Sequence, residues 1–456
     1  MQRTKTFFPF EVNFLEGPIF RALVLFAIPL FISNIFQQLY NTVDTMIVGN
    51  YLGDLSLAAI GSCAAIFDLL VGFALGIGNG LSIVTARSFG AGEESLLKKS
   101  VACSIVIGTI SSVVLTAVGI LILRPLLVVL HTPEEIIAES YSYISVITWF
   151  IIVMFAYNLC AGLMRAIGNS VMPLVFLVVS SLANIVLDIL LITQFHMGIR
   201  GAAVATVISQ GLSVMLCVIY IWKKVPLLIP GREHFRFDRD LYMEMVGQGL
   251  SMGFMNSIVS AGSVILQYGI NGLGTLIIAG HTAARKLYMF FNMPFIAMSL
   301  SLSTFVSQNR GANQGKRIRK ALRYSYLFDV AAAGVITVLL LSAAPALVKL
   351  ISGSGEPEVL HNGALYLMVV GPFYAVLGVL IQSRSALQGI GEKLLPLISS
   401  VIELAGKILF VLFFIPQFQY MAVIFCEPVI WCVMTVQLLY SLYRNPFIRK
   451  AGGKNL

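Results

Sequence analysis

Apolar side chains run along this chain in stretches too long for strands and too continuous for helices with one wet face. Twelve such stretches fall near residues 22–49, 55–86, 100–122, 136–163, 171–193, 201–222, 241–270, 274–307, 322–348, 363–388, 394–415 and 420–443. Each reaches the ~20 residues that a helix needs to cross the hydrocarbon core of a bilayer. Polar, Gly- and Pro-bearing segments separate them. The pattern predicts an all-α integral membrane protein with twelve transmembrane helices, and an even number of spans puts both termini on one side.

The pattern also repeats. Residues 57–61 read LAAIG and residues 276–280 read LIIAG. The loop FGAGEESLLKK after span two answers to RGANQGKRIRK after span eight, and LMRAIGNSVMPL from Leu163 answers to ALQGIGEKLLPL from Ala386. The offsets, 219, 221 and 223, barely drift over half the chain. Six spans separate each element from its copy, and six is even, so the copies share an orientation. A parallel repeat about an axis along the membrane normal is a transporter plan. The expected organisation is an N-terminal lobe at 1–222 and a linker at 223–240, KKVPLLIPGREHFRFDRD, followed by a C-terminal lobe at 241–456. The two pseudo-symmetric six-helix bundles would flank a central cleft. Gly72, Gly76 and Gly80 form overlapping GxxxG units that let a neighbouring helix approach span two. Pro29 permits span one to bend.

Composition agrees. Of 456 residues, 58% are hydrophobic and 11% charged, with a mean hydropathy of +0.90, against about 25% charged in soluble domains. The net charge of +9 is a topology signal rather than a nucleic-acid patch. Of 30 Lys and Arg, 23 lie on the side of the termini, three on the other side and four within spans. The positive-inside rule then places both termini in the cytoplasm, in a cell inner membrane. The polar N-terminus has no short apolar core and no small-residue cleavage site, so the first span is expected to direct insertion. Six Cys fall in apolar runs without a CxxC and read as inert buried hydrophobes.

Charge inside a span is costly and marks a candidate functional site. Asp188 lies well beyond Pro173 on the outward-running span five, roughly 22 Å into the membrane at the rise of an α-helix. Asn184 precedes it by one turn. Asp44 closes span one at similar depth, with Tyr40 and Asn41 one turn before it on the same face. Thr206 lies near the outer entrance of span six. Asp44, Asn184, Asp188 and Thr206 thus bring oxygen donors from three helices to one level. They suit a hard cation, and two neighbouring carboxylates could instead hold a proton. The plain structural alternative is interhelical bonding for the Asn and self-bonding for the Thr. In the other lobe the equivalent positions are Ser263, Lys407 and Val411, while Glu403 stands one turn before Lys407 in the order that favours a helical ion pair. Arg285 is more isolated and either faces the cleft or packs. Asp68 and Glu427 are expected to be buried, for packing or for function.

The segments AIPLF at 27–31, LYNTVDTMIVG at 39–49, LMRAIGN at 163–169, NIVLD at 184–188 and GAAVAT at 201–206 resemble the multidrug and toxic compound extrusion (MATE) family, across nearly the whole chain. The N-lobe set is similar to that of the DinF-like prokaryotic branch. That resemblance implies a coupling-ion site at Asp44, Asn184, Asp188 and Thr206, with Tyr40, Asn41, Asn158, Asp68 and Arg285 as candidate cavity-lining residues. NorM-like members carry an acid within span seven. Here that span has Asn256 and Gln267 instead, which favours coupling through the N-lobe. The family implies antiport of H⁺ or Na⁺ against amphipathic, often cationic compounds by alternating access. No cofactor beyond the ion is expected, and a monomer in contact with membrane lipid is.

Other chemistries fit poorly. GANQGKR at 311–317 misses the P-loop spacing, the five His are scattered without HExxH, and no GxSxG occurs, so an enzyme is not expected. The alternative is a lipid-linked oligosaccharide flippase of the same two-lobe plan. Arg285, Lys286 and Arg384 lean towards it and the two aspartates lean away.

Overall fold

The computed structural model describes residues 11–130 and 132–450. Its helices are α1 (Ile19–Leu52), α2 (Asp54–Ala91), α3 (Glu94–Val129), α4 (Glu134–Trp149), α5 (Ile151–Ala166), α6 (Val171–Ile189), α7 (Ile199–Lys224), α8 (Arg239–Asn271), α9 (Thr275–Gly311), α10 (Gly315–Ser352), α11 (Pro357–Val370), α12 (Tyr374–Ile390), α13 (Leu394–Leu409), α14 (Ile415–Phe418), α15 (Tyr420–Arg444) and α16 (Pro446–Lys450). Among the described residues there is no strand. Eleven spans are long and apolar enough to cross a membrane, and twelve with α4 and α5, bent by 49°, taken as one. The fold is all-α and integral to the membrane, with the twelve spans read from the sequence. Large apolar side chains lie open on the helix surfaces, Leu121 at 77% and Leu350 at 78% exposure, as a lipid solvent allows.

The repeat is written into the backbone. Residues with left-handed φ recur in pairs at Gly53 and Gly274, Gly92 and Asn313, Gly168 and Gly391, and His196 and Gln419. The pairs are spaced by the same offsets as the sequence repeat. Asn313, His196 and Gln419 carry a Cβ, and a non-glycine residue in this region is uncommon. The same turns have therefore been kept in both halves by geometry rather than by residue type. Spans five and eleven both lose α-helical register near their ends, as π-helical segments at Leu190–Gln194 and Phe410–Phe414.

Two compact units result, one built chiefly from Leu25–Ser257, the other from Pro18–Val24 and Ile258 onward. The start of α8 thus belongs with the first unit and the start of α1 with the second. Within the first unit, Ile66, Leu81, Leu123, Ile144, Ile151 and Phe155 belong to one core. The glycines of α2 meet α8. A Cβ at Gly76 would sit 2.5 Å from the Met252 carbonyl oxygen, and one at Gly80 would sit 2.6 Å from that of Gln248. Only Gly permits such backbone contact. Asn256 donates to the Gly72 carbonyl at 3.0 Å, and Arg87 pairs with Glu244 beyond the crossing. Within the second unit, Ser301 of α9 donates to the Leu23 carbonyl at 2.8 Å. Pro29 leaves α1 continuous from Ile19 to Leu52, and its own carbonyl accepts the Ser33 hydroxyl at 2.8 Å. All six Cys are free. Cys432 departs from the expected burial: it is exposed on α15, where a thiol behaves as a small apolar group.

Candidate ion site

Asp44, Asn184, Asp188 and Thr206 are all buried, at 8%, 0%, 0% and 7% exposure. Asn184 and Asp188 share a face of α6 at i and i+4, immediately before the π-helical segment that ends the span. With its amide turned to satisfy both ends, Asn184 donates to Asp188 Oδ2 at 2.8 Å and accepts from the Thr206 N–H at 3.2 Å. Tyr40, one turn before Asp44 on α1, donates to Thr206 Oγ1 at 3.4 Å. Thr206 in turn bonds its own helix at the Ala202 carbonyl, 3.1 Å away.

The two carboxyl groups lie close enough to interact with each other. Two carboxylates this close cannot both stay ionised unless something positive stands between them or beside them. Among the described residues no Lys, Arg or His forms an ion pair with either acid, and Asp44 Oδ1 and Asp188 Oδ1 have no hydrogen-bond partner. The set therefore has room for one positive charge, which a shared proton or a small hard cation would supply. The oxygens of Asp44, Asp188, Asn184, Thr206 and Tyr40 are the atoms that could hold it.

Tyr143 of α4, which the sequence reading missed, stands close enough to interact electrostatically with both acids. It comes from a helix remote in sequence from either acid, and one Tyr in an apolar run gives no signal of its partners. The remaining candidates are less concentrated. Asn41 is exposed, its carbonyl accepting the Thr45 hydroxyl at 2.7 Å. Asn158 is half-buried and donates to its own helix at the Met154 carbonyl, 2.8 Å away. Asp68, expected to be buried, is exposed. Depth along α2 was readable, but α2 is apolar on nearly every side, so the sequence could not say which face meets open space.

The second unit handles its charge differently. Glu403 and Lys407 pair at 2.9 Å, as the spacing predicted. They are not alone: Arg384 reaches Glu403 at 3.9 Å, and Lys407 reaches Glu427 at 3.9 Å. Arg285 is not isolated either. It pairs with Glu427 at 2.8 Å, lies 3.4 Å from the Tyr366 hydroxyl and sits 4.5 Å from the centre of the Tyr288 ring. The Tyr366 hydroxyl donates to Glu427 at 3.1 Å. Glu427 is buried, as expected. Three cations and two acids thus form one connected network, and no acid in it lacks a counter-charge.

A helical protein with up to twelve candidate membrane spans in two repeated halves has the architecture of a membrane transporter. The chain belongs to the MatE family, which it matches over residues 29–190 and again over 252–413. The second match is the first shifted by the repeat offset itself. The chain is 27% identical to the "Probable multidrug resistance protein YoeA" of Bacillus subtilis, with 95% of each chain covered. To the "Probable multidrug resistance protein YpnP" of the same organism it is 26% identical, covering 86% of this chain and 87% of that one. A solved MATE crystal structure in the bent conformation superposes with a TM-score of 0.87 at 20% identity, covering 97% of this chain and 99% of that one. MatE proteins are transporters, not enzymes.

Proposed function

We propose that the chain is a secondary multidrug exporter. It exchanges H⁺ or Na⁺ for amphipathic, often cationic compounds, with Asp44, Asn184, Asp188 and Thr206 as the coupling-ion site. One observation carries this reading: two buried carboxyl groups near each other, on helices bridged through Asn184, Thr206 and Tyr40, with no cation paired to either among the described residues. The relatives named as multidrug resistance proteins support the substrate class.

In this reading an ion arriving from outside cancels the repulsion between the acids and lets α1 draw towards α6 and α7. Tyr40, bonded to Thr206, tracks that movement. Loss of the ion to the cytoplasm returns the acids to their repulsive state and resets the cycle. The ion-site residues are buried, so drug and ion need not overlap. The lobes are taken as 1–222 and 241–456 on the linker 223–240. The protein is read as a monomer in the inner membrane, with cytoplasmic termini and no cofactor but the ion. The oligosaccharide flippase reading loses support, because Arg285 and Arg384, two of the three cations that lean towards it, are paired with Glu427 and Glu403.

The test is transport into everted vesicles under separately imposed proton and sodium gradients. One of the two gradients should drive accumulation of a lipophilic cation dye, and Asp188→Asn should remove that drive. Accumulation at wild-type rate in Asp188→Asn would refute the assignment of the site.

A further inference from the structure

A buried carboxyl group of the second unit stands outside the charged network. Asp329 of α10 is at 0% exposure, and no described residue forms an ion pair with it. Its Oδ2 accepts from Nε2 of Gln382, on α12, at 2.7 Å. Its Oδ1 has no partner among the described residues, and neither does Oε1 of the same Gln382. Two acceptor atoms are therefore left over on two side chains already joined by one hydrogen bond. One proton on Oδ1 would give both what they lack, closing an acid–amide pair with a hydrogen bond in each direction. A carboxylate in the same place would be a charge in the dry interior with a single neutral donor, which is strongly unfavourable.

The place is built for this group. A Cβ at Gly378 would lie 2.6 Å from the Asp329 Cβ and 3.0 Å from its Oδ2. Gly378 and Gln382 are i and i+4 on α12, so one face of that helix supplies both the room and the donor. Ser325, one turn before Asp329, also leaves its hydroxyl without a partner among the described residues. Ionisable groups on α10 and on the helices packed against it make other pairs. Tyr326 of α10 shares a 2.8 Å hydrogen bond with Ser383, Arg384 of α12 is turned to Ser399 and Glu403, and Arg285 of α9 is held by Glu427. Glu358 and His361 of α11 lie in its first turns, and Arg449 and Lys450 end α16. None of these four pairs with Asp329.

The pair also sits just past a break. A 3₁₀ turn at Gly371–Phe373 separates α11 from α12, shortly before Gly378. A 3₁₀ stretch inside a long span often marks a hinge. Swinging α12 about it would draw Gln382 away from Asp329.

We infer that Asp329 and Gln382 form a second proton-binding site, separate from the Asp44–Asp188 set, which holds a proton while α12 packs on α10 and releases it when α12 swings away. In the release step the Oδ1–H bond breaks, the proton passes to entering water, and the carboxylate becomes hydrated.

Infrared difference spectroscopy on the full chain in lipid vesicles reads the bound proton directly and does not require transport. Wild type minus Asp329→Asn at neutral pH should lose one carboxylic-acid C=O band that shifts in D₂O. Gln382→Met should move the same band without removing it, which keeps the question decidable if Asp329→Asn folds poorly. Loss of carboxylate bands alone would overturn the inference. So would an acid band that disappears when sodium is added, since that would make the ligand a metal ion. The transport role rests on the exporter reading. In proteoliposomes Asp329→Asn should still export, moving one proton fewer per drug molecule. An unchanged proton count in a variant that exports would overturn the release step, whatever the outcome at Asp188.

Discussion

The two halves of the repeat carry polar groups at equivalent sequence positions of spans five and eleven and use them in opposite ways. In the first, Asn184 and Asp188 meet Asp44 and Thr206, and the acids have no cation beside them. In the second, the positions of Asn184 and Ser180 are taken by Lys407 and Glu403, and every acid in the network is paired with Lys or Arg. An unpaired set is responsive, because adding one positive charge changes its energy greatly. A self-neutralised network is stiff, because any single change leaves a charge uncompensated. One half is suited to sense an ion, and the other to hold helices α9, α12, α13 and α15 together.

The largest expected effect that separates the halves is at Asp188. Asp188→Asn should abolish gradient-driven export while leaving the thermal unfolding profile in detergent close to wild type. Next is Glu427→Gln, which strips the counter-charge from Arg285 and weakens the hold on Lys407. Breaking a buried pair costs about 3–5 kcal/mol, so this variant should unfold at markedly lower temperature. Replacing both partners, Arg285→Met with Glu427→Leu, should recover much of that loss. Gly80→Ala forces a Cβ against the Gln248 carbonyl and should cost about 1–3 kcal/mol in the same assay. Reversing Glu403 and Lys407 together should restore most of what either single reversal loses, and unrestored transport in a stably folded double variant would speak against a purely structural pair. The smallest effect is at Asn158, whose amide bonds its own helix: Asn158→Ala should change stability by less than about 1.5 kcal/mol.

How far the sequence carried depends on the range of the information. The twelve spans and the repeat are local patterns, and both were legible. The shared depth of Asp44, Asn184, Asp188 and Thr206 followed from counting residues along helices of known rise. Direction around a helix was not legible where all faces are apolar, which is why Asp68 was expected inside and is found exposed. Pairing across the chain was not legible either. Arg285 and Glu427 lie on α9 and α15, and Asp329 and Gln382 on α10 and α12, so nothing in local spacing joins either pair. The π-helical ends of spans five and eleven change the helical period without any mark in residue type.

The central claim is that the unpaired acids of the first unit couple ion entry to export. Its most direct test is concentrative export by the double variant Asp44→Asn with Asp188→Asn, reconstituted in proteoliposomes under the gradient that drives the wild type. The double variant should insert and fold, leave drug only at its equilibrium distribution, and show no drug-dependent ion flux. Export against a concentration gradient at the wild-type rate would contradict the account.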